Sequence, residues 1–127
     1  MMTIADFCLL GMVLLIIASI VPAKISGRRD FDNANPRDPA FYTPGFRARS
    51  WSAHLNGHES FPFFAVAVVL TEMRGMPQTK VDALAAAFLL ARVVYLGCYW
   101  ANQPTLRSLV FAIGFALNVW LFLLPIL

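Results

Sequence analysis

RSWSAHLNGHESFPFF, residues 49–64, places charged and hydrogen-bonding side chains directly in front of the apolar run AVAVVL. At about 100° per residue along a helix, Asn56 and Glu59 fall on one side, and the two histidines of the stretch fall on nearly the opposite side. Ionisable side chains within a membrane segment face a bundle interior or a wet cavity, not lipid. The stretch therefore predicts a membrane helix that other protein surrounds on more than one side.

The composition places the chain among membrane proteins. Of its 127 residues, 59% are hydrophobic and 13% are charged, whereas soluble domains average about 45–50% apolar and about 25% charged residues. The length suits one domain and about four spans of roughly 20 residues each. We therefore predict a single all-α domain over residues 1–127, an integral membrane four-helix bundle.

Prolines, glycines and polar residues divide the apolar runs into four segments. The predicted helices lie at about residues 4–25, 47–73, 79–101 and 105–124. The first contains CLLGMVLLIIASIVPA and has its cations after the apolar run. Because a signal peptide has its basic residues first, we interpret this segment as an uncleaved span, with a cleaved signal peptide as the alternative.

The connection over residues 26–46 contains Pro36, Pro39 and Pro44, and we predict a loop without regular structure. It is longer than the roughly 2–8 residues usual between packed helices, and long ordered loops are often functional. The loop is therefore a candidate cap over a site.

Lysines and arginines near the helix ends predict the orientation of the chain. Six lie in or beside the 26–46 loop, namely Lys24, Arg28, Arg29, Arg37, Arg47 and Arg49. The second loop has two, and the termini have none. We expect the 26–46 loop on the cytoplasmic side and both termini on the opposite side. The turn near Asn102 is then cytoplasmic too, which brings Arg49, Tyr99 and Arg107 to one membrane face.

Two opposite charges lie at matching depth in consecutive helices. Glu59 is about twelve residues into the second helix and Arg92 about thirteen into the third, which is roughly 18–20 Å along each axis. A lone charge at that depth costs at least about 2.5–3.5 kcal/mol. We expect a Glu59–Arg92 ion pair. The pair either only holds the bundle together or also lines a ligand site.

The start of the fourth helix predicts an anion site. Arg107 lies three residues after Pro104, where unpaired N–H groups and the positive end of the helix dipole add to its charge. A thiol held there loses its proton more easily, and Ser108 is placed to donate a further hydrogen bond. The alternative is an interfacial arginine that reaches lipid phosphate. Tyr95 and Tyr99, four residues apart, are by themselves typical of aromatic-belt anchors.

His54 and His58 have the spacing of a metal-chelating pair, but no third ligand of the right type is near. We predict no metal site and favour hydrogen bonds between helices, within or between subunits. Cys8 and Cys98 lie in apolar segments without a CxxC motif, and we interpret them as small buried hydrophobic residues.

Two motifs resemble the MAPEG family, the membrane-associated proteins in eicosanoid and glutathione metabolism. AHLNGHESFPFF is similar to the family's A-H-x-N-x-x-E-x-x-P-F stretch, and ARVVYLGCY followed by LRS is similar to its signature in the third and fourth helices. The resemblance covers the chain from about residue 34 to the end of the fourth helix. The short length is most similar to small bacterial members, which implies a bacterial inner membrane.

The resemblance implies a homotrimer that binds glutathione between neighbouring subunits near the cytoplasmic side. Arg107 and Ser108 match the family's pair beside the glutathione sulfur, with Arg107 as thiolate stabiliser. The implied glutathione-binding residues are Arg49, Asn56, Glu59, Arg92, Tyr95 and Tyr99. Of these, Asn56 and Glu59 would contact the peptide's amino end and backbone.

Four positions depart from the family pattern. Ser52, Leu55 and Gly27 stand where some members carry cations, and Phe111 stands where some carry a tyrosine hydroxyl. The favoured function is a membrane glutathione transferase or peroxidase acting on a hydrophobic electrophile or hydroperoxide from the bilayer. The alternative is a non-catalytic membrane protein that binds lipid or serves as an accessory subunit. A channel or transporter is a third option with little support. No nucleic-acid partner is expected.

Overall fold

The computed structural model describes residues 1–127 as four long helices and one short 3-10 turn. The elements are α1 (Ile4–Ser26), α2 (Phe46–Met73), α3 (Gln78–Trp100), α4 (Pro104–Leu123) and the 3-10 turn Leu124–Ile126. The chain has no β-strand. The predicted all-α four-helix architecture is therefore confirmed, with each helix close to its expected position.

Local chemistry explains where the first and last of these helices begin. At α1, the Thr3 side chain accepts a hydrogen bond from the backbone of Asp6, and the Asp6 carboxylate accepts one from the backbone of Thr3. This reciprocal capping box satisfies two otherwise unpaired N–H groups. At α4, Pro104 occupies the first helical position, where its missing N–H costs nothing.

Consecutive helices run antiparallel, and side-chain contacts join their ends. At one end, the Thr3 hydroxyl donates to Glu72 across 2.9 Å, and the Ala5 N–H donates to Asp82 across 2.9 Å. We call this the terminal end of the bundle. The opposite end carries residues 27–45 and the turn at residues 101–103, and we call it the loop end.

Three of the helical segments are long and apolar enough to cross a membrane: Ile4–Ser26, Gln78–Trp100 and Pro104–Ile126. The second helix is more polar but has 28 residues, which is about 42 Å of helix. It returns from the loop end of α1 to the terminal end. Because it lies against α1 between the same two levels, it must cross the same layer in the opposite direction.

The dry core occupies the terminal half of the bundle. Its fully buried large side chains come from all four helices and include Met12, Phe64, Val68, Val81 and Leu121. Phe64 of α2 stacks on Phe88 of α3 with ring centroids 4.3 Å apart. Cys8 belongs to this core, and Cys98 is also buried and unpaired, as the sequence predicted. The predicted site residues lie nearer the loop end than this core.

Aromatic side chains anchor the 27–45 segment on the loop end. Phe41 and Tyr42 are buried against Ile20 and Ala23 of α1, and the Tyr42 ring stacks on Trp51 with centroids 4.5 Å apart. The Tyr42 hydroxyl donates to the carbonyl of Pro36 across 2.9 Å. Burial raises the pKa of Tyr42 above its usual value of 10.0.

Gly27 leaves space that an arginine from α2 fills. A Cβ atom at Gly27 would lie 2.7 Å from the Arg47 guanidinium and 2.7 Å from the Phe41 ring. Arg47 in turn forms a 2.8 Å ion pair with Asp30 and lies 4.7 Å above the centre of the Phe41 ring. The cation beside position 27 is therefore Arg47 of α2. Its contacts with Asp30 and Phe41 hold the loop against α2.

Candidate functional site

Three residues from three helices converge at the loop end. Arg49 of α2 donates from Nε to the backbone carbonyl of Tyr99 in α3 across 2.9 Å. The ring of the same Tyr99 lies under the Arg107 guanidinium of α4, whose Cζ is 4.6 Å from the ring centroid. The bundle thus brings these three residues together at its loop end. Tyr99 links the two cations through its backbone on one side and its ring on the other.

The first turn of α4 offers donors to an anion. No side chain caps this helix start, so its first N–H groups have no partner from the preceding residues. Arg107 is half-buried beside them, and Ser108 is exposed. The Ser108 hydroxyl donates to the carbonyl of Pro104 across 3.1 Å. To donate to a ligand instead, this hydroxyl has to give up that bond.

A ladder of rings and guanidinium groups leads from this turn toward the bundle interior. Tyr99 meets Tyr95 edge-on with centroids 5.2 Å apart. Tyr95 is buried, and its ring lies 4.2 Å from the guanidinium carbon of Arg92. Phe111 of α4 lies 6.0 Å from the Tyr95 ring. The ladder connects the anion site to the buried Arg92.

The expected Glu59–Arg92 ion pair is not formed, and this prediction is wrong. Arg92, only 6% exposed, donates to the side-chain oxygen of Asn56 across 2.8 Å. Asn56 donates in turn to the Glu59 carboxylate across 3.3 Å, and Glu59 itself is exposed. Asn56 lies one turn nearer the loop end than Glu59 on the same side of α2. The amide therefore reaches Arg92 first and separates the two charges.

These residues line a cavity of about 200 Å³ between α2, α3 and α4. Its polar lining includes Asn56, Glu59, Arg92 and Asn118. Aromatic side chains, among them Phe63, Phe111 and Phe115, form much of the rest of the wall. The cavity thus joins one buried cation, one carboxylate and two amides to an apolar wall.

Asn118 has no predicted role, although it is the one strongly polar residue of α4 beyond the first turn. The structure buries it at 2% exposure on the cavity wall. Its Oδ1 atom has no hydrogen-bond partner, and neither does Nε of Arg92. An isolated polar residue in an apolar helix is the signal that could have pointed to this part of the site.

The two histidines lie away from the cavity. His54 Nδ1 is 2.8 Å from the backbone carbonyl of Ile16 and 3.3 Å from the Ser19 hydroxyl, both on α1. Because a carbonyl only accepts, Nδ1 carries the hydrogen and donates it. His58 is exposed, and its Nε2 is 3.3 Å from Nε2 of His54. His54 therefore makes the hydrogen bond between helices that the sequence favoured.

The positions that depart from the family pattern lie around the same half of the bundle. Ser52 is half-buried, whereas Leu55 and Phe111 are exposed. Phe111 presents a ring without a hydroxyl next to Tyr95. Ser52 and Leu55 therefore contribute no cation, and Phe111 contributes no hydroxyl beside Tyr95.

The fold and the site together define an integral membrane protein built from a helical bundle, with a polar, cation-containing pocket between its helices. The sequence model of the MAPEG family matches residues 4–127, nearly the whole chain, and the chain belongs to this family. No curated protein and no solved structure matches it. The match extends further toward the N-terminus than the two motifs alone and includes α1.

Proposed function

We propose that the protein is a membrane-bound glutathione-dependent transferase or peroxidase. Its task is to bind glutathione at the loop end, hold the thiol as a thiolate, and direct it at a hydrophobic electrophile or hydroperoxide from the bilayer. Membership of a family that includes glutathione transferases and peroxidases supports this class of activity. The convergence of Arg49, Tyr99 and Arg107 beside the open start of α4 is the observation that carries the proposal.

The thiolate-stabilising role falls to Arg107. Its guanidinium is fixed over the Tyr99 ring, and the uncapped first turn of α4 adds partial positive charge. Both favour a negative sulfur over a neutral thiol, which lowers the pKa of a bound thiol. Ser108, one residue further on, supplies a hydroxyl once it leaves the Pro104 carbonyl.

The remaining groups fit the charged ends of glutathione. The Glu59 carboxylate is exposed and has only a long contact to Asn56, so it is free to accept from the peptide's ammonium group. Arg49 and Arg92 are the cations available to the carboxylates, and Asn56 presents an amide to the peptide backbone. Tyr95 and Tyr99 form the wall between these groups and Arg107.

The exposed position of Glu59 also supports assembly into a homotrimer with glutathione between subunits. Glu59 lies about 20 Å along α2 from its start, yet one protomer leaves it exposed. A charged side chain at that depth is expected to face protein or water rather than lipid. A neighbouring subunit would cover this side of α2 and close the site.

The orientation follows the distribution of cations. The loop end carries most of the lysines and arginines, so we place it in the cytoplasm, where glutathione is made and kept reduced, with both termini across a bacterial inner membrane. Polar glutathione then arrives from the cytoplasm, and the apolar second substrate arrives through the lipid-facing helices.

The test measures glutathione binding by calorimetry and thiolate formation by ultraviolet absorbance on the purified protein in lipid nanodiscs. The wild type is expected to bind glutathione and to show thiolate absorbance near neutral pH. Arg107→Ala should lose the thiolate absorbance, whereas Arg74→Ala, an exposed arginine in the turn after α2, should keep it. A wild-type protein that binds no glutathione would overturn the proposal.

A second candidate function is a non-catalytic member of the family that binds lipid or serves as an accessory subunit. The apolar residues Leu55 and Phe111 on the exposed side of the site favour it, because they offer nothing to a carboxylate or sulfur. Native mass spectrometry separates the two functions. Copurified lipid without glutathione, even after incubation with excess glutathione, would support this second candidate.

A further inference from the structure

The end of α1 carries cations that the proposed glutathione chemistry does not use. Lys24 lies in the last turn of this helix, and Arg28 and Arg29 follow directly after it. Both arginines are exposed, and neither forms an ion pair. The Lys24 ammonium lies 4.8 Å from the centre of the Phe31 ring and has no carboxylate partner. Three positive charges are therefore left without a negative partner at the loop end.

The carboxylates of the loop are already engaged within the loop. Asp30 pairs with Arg47 across 2.8 Å. Asp32 and Asp38 each accept a hydrogen bond from the backbone N–H two residues further along the chain, at 2.8 and 2.9 Å. The charges at the end of α1 are therefore complemented by an anion from outside the chain.

An open groove lies at the end of α1, beside these charges. Its volume is about 710 Å³, and two arginines contribute to its lining. Its one carboxylate is the aspartate that is paired with α2, so the groove presents net positive charge. Because α1 is a membrane-spanning segment, the groove lies where lipid headgroups are found. The lining residues are Ile25, Ser26, Gly27, Arg28, Arg29 and Asp30.

An apolar stripe on the outer side of α1 leads into this groove. Its exposed residues recur every three or four positions, as expected for one side of a helix, and Ile25 at its end also lines the groove. From Leu10 to Ile25 the stripe is about 22 Å long, whereas the hydrocarbon of one leaflet is about 15 Å deep. An acyl chain can therefore lie along the stripe while its headgroup stays beside the arginines. The stripe consists of Leu10, Leu14, Ile17, Val21 and Ile25.

We propose that the end of α1 binds an anionic phospholipid of the surrounding leaflet, with Arg28 and Arg29 on the headgroup phosphate and an acyl chain along the α1 stripe. The planar guanidinium matches a phosphate with two parallel hydrogen bonds. A zwitterionic phospholipid carries the same phosphate, but its ammonium group is repelled by the unpaired cations. The site therefore selects lipids by net charge. It lies outside the glutathione site and applies to either candidate function.

Selectivity among lipids separates this site from a simpler role of the same cations. Lysines and arginines beside a membrane helix also set its orientation, but orientation requires no preference for one headgroup over another. A groove that holds a particular headgroup does require such a preference. The preference should also depend on the two arginines that line the groove and not on other cations of the loop.

The experiment uses delipidated protein in detergent and native mass spectrometry. The protein is titrated with phosphatidylglycerol or with phosphatidylcholine of identical acyl chains. A basic residue near anionic lipid contributes a factor of about five, so two arginines should give phosphatidylglycerol an affinity about 25-fold higher. Arg28→Gln and Arg29→Gln should each reduce this preference to about fivefold, and the double variant should abolish it. Both side chains are exposed, and circular dichroism establishes that each variant is folded.

Arg37→Gln is the matched control. Arg37 is an exposed arginine of the same loop but does not line the groove, so its substitution removes the same charge at another place. The preference for phosphatidylglycerol should stay at about 25-fold in this variant. An equal loss in Arg37→Gln would show that the overall charge of the loop, and not the groove, attracts the lipid.

Three further outcomes would overturn the proposal. Equal affinity of the wild type for the two lipids would show that the groove does not select net charge. Displacement of phosphatidylglycerol by glutathione would assign these arginines to the glutathione site, and displacement by millimolar inorganic phosphate would show that a free anion is the ligand. A protein that prefers phosphatidylglycerol but binds no glutathione would overturn only the proposed function, so the two failures are distinguishable.

Discussion

Arg49 of α2 donates a hydrogen bond from Nε to the backbone carbonyl of Tyr99, near the C-terminus of α3. The last carbonyls of a helix lack partners within that helix, and a cation near them also interacts favourably with the helix dipole. Arg49 therefore closes the end of α3 while it holds the residue whose ring supports Arg107. One side chain thus connects the stability of the loop end to the geometry of the candidate thiolate site.

Arg49→Ala should lower the free energy of unfolding by about 1 kcal/mol, which is below the roughly 1.5–3 kcal/mol typical of hydrogen bonds to charged groups because the contact is only partly buried. The position of Tyr99 should also loosen, which we expect to weaken glutathione binding. Thermal unfolding in detergent, followed by circular dichroism, measures the first effect. Arg74→Ala, at the terminal end, is the control. Unchanged stability and affinity in Arg49→Ala would contradict this role.

The Asn56 bridge predicts unequal effects of two neighbouring substitutions. Asn56→Ala removes the hydrogen-bond partner of the buried Arg92 and should cost about 1.5–3 kcal/mol of stability. Glu59→Gln should cost less than Asn56→Ala, because Glu59 forms no ion pair with Arg92 and glutamine keeps its size and an oxygen that accepts from Asn56. Denaturant titration of both variants beside the wild type measures the difference. A larger loss of stability in Glu59→Gln than in Asn56→Ala would indicate that Glu59 and Arg92 form a direct ion pair.

Asn118→Leu should raise the stability of the ligand-free protein. The substitution replaces a buried amide, whose oxygen has no partner, with an apolar side chain of similar size, and such an unsatisfied group costs about 1–3 kcal/mol. Thermal unfolding without added ligand should therefore give a higher midpoint than the wild type. A lower midpoint would indicate that Asn118 has a structural partner in the membrane-embedded protein.

Tyr42 predicts a loss of stability at alkaline pH. Burial raises its pKa above 10.0 in the folded protein, so the unfolded chain gives up this proton first as the pH rises. The stabilising contribution is complete below about pH 10 and is lost as the pH rises through the higher pKa of the folded state. Stability measured from pH 8 to pH 11 should fall less steeply in Tyr42→Phe than in the wild type. Parallel pH curves for the two proteins would exclude Tyr42 as the cause.

The helices and their order could be predicted from the sequence because breakers and apolar runs are local signals. The grouping of Arg49, Tyr99 and Arg107 also followed, since consecutive antiparallel helices bring their near ends together. The hydrogen-bond partner of Arg92 could not be predicted in the same way. Depth along a helix places Glu59 and Arg92 at one level, but it does not distinguish between two acceptors three residues apart on the same side of α2.

The direction of the Asn118 side chain could not be predicted from the sequence, for a related physical reason. α4 is apolar on all sides, so its sequence does not indicate which side faces the bundle. A single amide in such a helix is equally compatible with facing a neighbouring helix, a cavity or another subunit. Only the packing of α4 against α2 and α3 fixes its direction. Gly27 is similar, because no local pattern indicates that Arg47, twenty residues later, takes the space a side chain would fill.

The separation of the dry core from the predicted site residues divides the tasks of the bundle along its length. Substitutions at the loop end can change what is bound while Phe64, Val68 and their neighbours keep the helices together. Such a molecule can acquire new ligands over evolutionary time without first gaining stability elsewhere. The ligands that the protein binds and the stability of its fold can then change largely independently during evolution.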